Sequence, residues 1–205
     1  MRTSDYAYEQ LRYMILKTEL KPGQVIAESE MIKKLGVGRT PIREALNRLS
    51  WEQFVRIIPR QCIIVSDLPL HDLESIYQVR YTLSALEGEL AATRRTKEDL
   101  ESLKDIIERF RLEHDQEKRV MLDREFHRRV SLCTQNAFLI NDMNTTLDLC
   151  LRLLFLNQDR LAEIDSFMVT DYEAIYSHIE AGRVKELVKA LQSHVKKFKA
   201  KFFTL

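Results

Sequence analysis

Two groups of residues in this 205-residue chain have the types and spacing to do chemistry. In the first, Arg39 and Arg43 lie four apart with Thr40 beside them. On a helix that spacing puts both arginines on one face. An arginine fork matches the two major-groove acceptors of guanine, and Thr40 or the free N–H groups of a helix start can hold a phosphate. Ile42, Ala45, Leu46 and Leu49 fall on the opposite face. A recognition helix needs this division, with base-reading residues at its N-terminus and an apolar back. The plainer reading is a pair of arginines on a solvated face.

In the second group, Asp123 and His127 are four apart and share a stripe with Val120 and Val130, so they face inward. His194 interrupts an apolar stripe between Leu191 and Phe198. A carboxylate and two imidazoles in one interior suit a divalent transition metal, zinc or nickel-like. A buried Asp–His hydrogen bond beside a core histidine is the competing reading. Arg80 sits among Ile76, Tyr77 and Leu83, where its charge needs a partner. That partner is either an intrachain carboxylate, Asp123 or Glu87, or the carboxylate of a small organic acid held bidentately. His71-Asp72 and His114-Asp115 resemble metal phosphohydrolase dipeptides, but each lies at a helix end where polar caps are expected.

Composition narrows the classes. Hydrophobic residues make up 45% and charged residues 31%, which is enough apolar material for a packed core. Five glycines and four prolines are too few for an all-β fold rich in turns. Three scattered cysteines without a CxxC pair exclude a disulfide scaffold and point to a reducing cytoplasm. The N-terminal residues form no secretory apolar stretch, and the run Leu147–Leu156 is broken by Asp148 and Arg152, so no membrane is expected. The net charge of +1 is divided unevenly. Residues 1–66 hold 11 Lys/Arg and 7 Asp/Glu, and residues 67–205 hold 21 and 24.

These residues must be positioned by two domains: a small basic one over 1–66, a linker at 67–69 and a larger helical one over 70–205. In the first, helices are predicted over Tyr6–Leu20, Glu28–Leu35 and Arg39–Trp51, then a hairpin of residues 54–58 and 62–65 around Pro59-Arg60-Gln61. That order is a winged helix-turn-helix. The second domain reads as an all-α antiparallel bundle of six helices, about 70–93, 96–115, 118–134, 136–160, 166–181 and 183–203. The inward stripe of its first helix is read as Leu73, Ile76, Leu83 and Leu90. The fold class is mainly α.

The run Leu35-Gly36-Val37-Gly38-Arg39-Thr40-Pro41-Ile42-Arg43-Glu44-Ala45-Leu46-Asn47-Arg48-Leu49, with Leu20-Lys21-Pro22-Gly23 and Glu28-Ser29-Glu30 before it, strongly resembles the DNA-binding domain of GntR-family bacterial transcription regulators. The resemblance implies that Arg39 and Arg43 contact bases, that Thr40 supports them and that the hairpin is a wing. Arg48 and Arg60 complete the candidate DNA-binding set. Cys62 stands where the family's wing usually has a glycine, which leaves Arg60 and Gln61 weaker candidates than the helix arginines.

Residues 70–203 resemble the FCD effector domain of the FadR subfamily, in its shorter VanR-like form. The resemblance rests on Tyr77-Gln78-Val79-Arg80, Ala91-Ala92, Asp123-Arg124-Glu125-Phe126-His127, Ala181-Gly182 and His194. It implies a metal held by an aspartate and three histidines, and a small carboxylate as effector. Asp123, His127 and His194 match three of those ligands, and the fourth falls on Tyr172. A phenol with a pKa near 10 is a poor ligand at neutral pH, so metal is expected to be weak or absent. Arg80 and Tyr172 are the candidate effector-binding residues. The resulting expectation is a homodimer on a double-stranded, inverted-repeat DNA operator that responds to a small organic acid. The alternatives are an architectural DNA-binding dimer without effector and a helical metal-dependent hydrolase.

Overall fold

The structure, a computed structural model, describes residues 2–156 and 161–203, with side chains left out at 70, 161–166, 202 and 203. The end of the fourth bundle helix expected at 157–160 lies outside the described residues. The chain forms two compact units, Met1–Leu70 and His71–Leu205.

The first unit contains α1 (Thr3–Leu16), α2 (Glu28–Leu35), α3 (Arg39–Trp51), β1 (Val55–Ile58) and β2 (Cys62–Val65). Leu11 and Ile15 of α1 pack without exposure against Ile42, Ala45, Leu46 and Leu49 of α3 in one small core. α1 ends a turn earlier than Leu20. The backbone reverses at Thr18, in the left-handed region with φ 59°. Leu20 N–H then donates to the Met14 carbonyl at 3.1 Å, and the Leu20 side chain is buried. Gly36, with φ 65°, ends α2 and lets Val37-Gly38 turn directly into α3. A buried cluster ties α1 to the far end of α3: the Tyr8 hydroxyl donates to Glu52 at 2.7 Å, and Arg12 reaches both residues.

The two strands pair antiparallel, Val55 opposite Val65 and Ile58 opposite Cys62. The positive φ of the hairpin, 62°, falls on Arg60. Cys62 opens β2 in extended conformation, so the wing does not require glycine there. Ile26 N–H donates to the Ile63 carbonyl at 2.8 Å, which pins the segment before α2 along β2.

The second unit contains α4 (Leu70–Arg94), α5 (Lys97–Leu112), α6 (Gln116–Leu132), α7 (Ala137–Leu156), α8 (Leu161–Glu180) and α9 (Val184–Phe203). α5 packs on α6 and α8, α6 on α7, and α8 on α9. α7 is buried all round from Leu147 to Phe155 within the single chain. Its apolar character is therefore satisfied without a partner.

α4 differs from its sequence reading. Its buried row is Leu73, Tyr77, Arg80, Ser84, Glu87 and Ala91, at alternating steps of four and three. Ile76, Leu83 and Leu90 are only half-buried, and Val79 and Leu86 are 47% and 40% exposed. The apolar residues mark the outer flank because three polar residues occupy the inner face.

α4 also approaches α9 closely at Gly88, where the Val188 side chain and backbone lie against it. A Cβ on Gly88 would lie 2.9 Å from Val188 Cγ2 and 3.1 Å from the Val188 Cα and N. Gly→Ala in an ordinary helix interior stabilises by about 1 kcal/mol. Gly88→Ala is instead expected to destabilise the helical unit by about 1–3 kcal/mol in urea unfolding, because two backbones would have to separate. Val188→Ala should not rescue it, since the close atoms include the Val188 backbone.

Candidate functional sites: a DNA-reading helix and a polar bundle cavity

α3 starts at Arg39 with Gly38 as its N-cap, and no side chain takes up the first N–H groups. Arg39, Thr40 and Arg43 are exposed together on this start. The back of the helix is fully buried, which fixes which way the arginines face. Arg43 Nε donates to both oxygens of Glu28, at 2.9 and 3.0 Å. Arg48 is placed differently. Nine residues from Arg39, it lies on the opposite side of α3, over the Tyr8 ring at 3.8 Å and 2.9 Å from Asp5. Arg60 is exposed at the wing tip.

In the bundle, α4, α6, α7 and α9 enclose a cavity with about 320 Å³ of interatomic space, part of it open to solvent. Tyr77 and Arg80 line it from α4, Asp123 and His127 from α6, Cys150 from α7 and His194 from α9. Arg80 is 5% exposed, and neither Asp123 nor Glu87 lies within ion-pair distance. Its Nη1 donates instead to the Met143 carbonyl at 3.0 Å and Thr146 Oγ1 at 3.4 Å on α7.

Asp123, His127 and His194 converge, with candidate ligand atoms within 4.8 Å of one another. His127 Nε2 lies 3.4 Å from Asp123 Oδ1 and 3.2 Å from His194 Nε2. This donor set could hold a metal ion, as a facial group of one carboxylate and two imidazoles. Tyr172, fully buried and stacked on Phe126 with centroids 4.1 Å apart, donates its hydroxyl to Asp123 Oδ1. It therefore belongs to the cluster as a hydrogen-bond donor.

Sequence reasoning missed Asp171. Its Oδ2 lies 3.0 Å from His194 Nδ1, and its Oδ1 accepts from Lys197 Nζ at 2.6 Å. A carboxylate on Nδ1 aims the other ring nitrogen into the cavity, the usual support of a ligating histidine. No spacing signal links residues 23 apart on two helices, so only the folded chain shows this contact. Burial works to raise the Asp123 carboxyl, but His127, Tyr172 and His194 outweigh it and hold it below the usual range. For His194 burial dominates and pulls the imidazole down, against the bond from Asp171.

Residues 75–197 match the FCD domain, and residues 3–65 match the family described as bacterial regulatory proteins, gntR family. The chain belongs to the GntR family and carries an FCD domain: it is a ligand-responsive, DNA-binding transcription regulator. It is 28% identical over 195 residues to the HTH-type transcriptional regulator YdhC of Bacillus subtilis, covering 92% of this chain and 84% of that one. It is 32% identical over 138 residues to the Nta operon transcriptional regulator of Aminobacter aminovorans, 64% of either chain. Among solved structures, McbR/YncC of Escherichia coli shares the fold with a TM-score of 0.84 at 21% identity, over 98% of this chain and 96% of that one. A GntR regulator from Rhodococcus sp. RHA1 gives a TM-score of 0.77 at 20% identity, over 98% of both chains. These relatives are transcription regulators, not enzymes, and no helix among the described residues is long and apolar enough to cross a membrane.

The row on α4 sets a pH dependence. Burial pushes the Glu87 carboxyl up from about 4.5 to about 6, although Ser131 and Arg80 favour its ionised form. The folded state thus holds a proton that the unfolded chain releases at lower pH. The contribution of Glu87 is most favourable below pH 4.5 and is lost as pH rises through 6. Glu87→Gln keeps an acceptor for Ser131, whose hydroxyl bonds Glu87 Oε1 at 2.5 Å. Between pH 4.5 and pH 8 the variant should gain about 2 kcal/mol on the wild type in urea unfolding of the helical unit.

Proposed function

We propose that the chain acts in the cytoplasm as a homodimer on an operator of two inverted half-sites. α3 enters the major groove, Arg39 and Arg43 contact base edges, Thr40 and the free N–H groups at the helix start hold the backbone, and Arg60 follows the wing. Arg48 packs α3 onto α1 and is not assigned to DNA. A small organic acid in the bundle cavity is the effector, its carboxylate held by Arg80. The observation that carries this is Arg80 itself, a buried cation on a cavity wall whose protein partners are a carbonyl and a hydroxyl. Such a charge accepts a ligand carboxylate without first breaking an ion pair. Dimerisation is supported by Val79, Leu83, Leu86 and Leu90, a half-exposed apolar stripe with steps of four, three and four on the outer face of α4. Ligand and DNA then act on one another reciprocally through whichever arrangement of the dimer each prefers.

The test uses the full chain and a duplex selected by it from a random library. Two chains should bind each duplex in anisotropy titrations. Arg39→Ala or Arg43→Ala should each lose about 1–3 kcal/mol on the selected duplex and less on random DNA at fixed salt. In a panel of small organic acids, a narrow set should raise the melting temperature and shift operator affinity, and Arg80→Ala should abolish both effects. No response to any acid would favour an architectural dimer.

Any metal would be held by Asp123, His127 and His194, and would supply a positive charge for an anionic ligand. The hydroxyl of Tyr172 already engages one Asp123 oxygen, and the imidazoles bond one another, so this cluster is satisfied without an ion. Purified protein is expected to carry metal below one equivalent and to lose it to a chelator. By mass spectrometry Tyr172→His should raise the metal content, and His127→Ala should abolish it. Full, chelator-resistant occupancy in the wild type would overturn this reading.

A further inference from the structure

We infer that Glu28 is a positioning residue for base recognition: it selects the edge of the Arg43 guanidinium that is offered to DNA. The inference rests on the reading of Arg43 as a base-contacting residue.

A guanidinium has two edges that can make a bidentate contact, one built from Nε and an Nη, the other from the two Nη atoms. Both oxygens of Glu28 lie on Arg43 Nε, at 2.9 and 3.0 Å. That occupies the Nε edge. The Nη pair has no partner among the described residues, and the Arg43 side chain is 59% exposed. What remains available is the two-Nη fork, which fits the O6 and N7 of guanine end-on.

The ion pair has little other purpose. A solvent-facing pair of this kind contributes little to stability. Glu28 is the first residue of α2, where the helix dipole favours a carboxylate. Its side chain is only 25% exposed, so it is the more buried partner of the pair. A negative charge beside DNA also repels phosphates. Glu28 therefore tends to weaken sequence-independent binding while it restricts a flexible side chain to one reading geometry. The rotamer freedom of Arg43 is lost before DNA arrives, and the complex does not have to remove it.

The experiment measures affinities of the full chain for the selected duplex, for the same duplex changed at single base pairs, and for random DNA, all at one salt concentration. Arg43→Ala first identifies the base pair that Arg43 reads, as the position where discrimination is lost. Glu28→Ala should lose about five- to a hundredfold of discrimination at that same base pair. Its affinity for random DNA should be equal to or tighter than that of the wild type. Glu28→Gln, which keeps a neutral acceptor, should fall between the two. In the Arg43→Ala background, Glu28→Ala should change discrimination no further. Undiminished discrimination in Glu28→Ala would overturn the inference. So would an equal loss on selected and random DNA, which marks a merely structural role, or a loss at a different base pair, which marks Glu28 as a DNA contact itself. If Arg43→Ala changes nothing, the assignment of Arg43 fails; if Arg43→Ala matters and Glu28→Ala does not, only the positioning role fails.

Discussion

A charged and polar row cannot enter a helical interior unless acceptors and donors meet it there, and this requirement organises the bundle. Arg80, Ser84 and Glu87 follow one another on the inner face of α4. Ser84 returns its hydroxyl to the Arg80 carbonyl at 2.7 Å, one turn back on its own helix. Arg80 is answered by the α7 backbone and Glu87 by Ser131 of α6. α6 and α7 are thereby fixed against α4 by directional bonds as well as by packing. The polar wall of the cavity is a by-product of the same arrangement, so the cavity lining and the register of three helices have one origin.

The N-terminal unit solves a simpler problem. Its core is small and apolar, and the one buried cation among its described residues, Arg12, lies between Tyr8, Glu52 and the Phe54 ring. That cluster holds α3 by its C-terminal end and leaves the N-terminal end, with Arg39 and Arg43, projecting into solvent. Arg48 contributes to the same anchorage through Tyr8 and Asp5. Arginines on one helix thus divide between holding the helix and presenting it, according to which side of the cylinder they leave.

This division explains how much was legible in the sequence. The recognition helix could be read because its apolar back is regular and its arginines share a face. Asp123 and His127 could be read because Val120 and Val130 lie on the same stripe. α4 could not, since periodicity finds a face by its apolar residues, and here the inner face is polar while an apolar stripe runs along the outer flank. The dense apolar run of α7 is buried by the chain itself, which composition alone does not show. Glu28 and Asp171 were invisible for another reason: each acts on a residue of a different helix, Arg43 or His194, and no local pattern relates such pairs.

The backbone contact at Gly88 has a mechanical meaning. Side chains between two helices act as a soft layer that absorbs small shifts, and at Gly88 only α9 contributes one, that of Val188. The crossing is therefore a stiff point. His194 lies six residues beyond Val188, about 9 Å along α9, and Leu70 lies eighteen residues before Gly88, about 27 Å along α4. Beyond the crossing, Tyr77 meets Phe198 with ring centroids 6.0 Å apart and Lys199 Nζ lies 3.0 Å from Glu74 Oε1, so side chains join α4 and α9 along the rest of their shared length. A shift of either helix is therefore taken up by those side chains and not at Gly88, whose place along a 25-residue helix sets where the pair is stiffest.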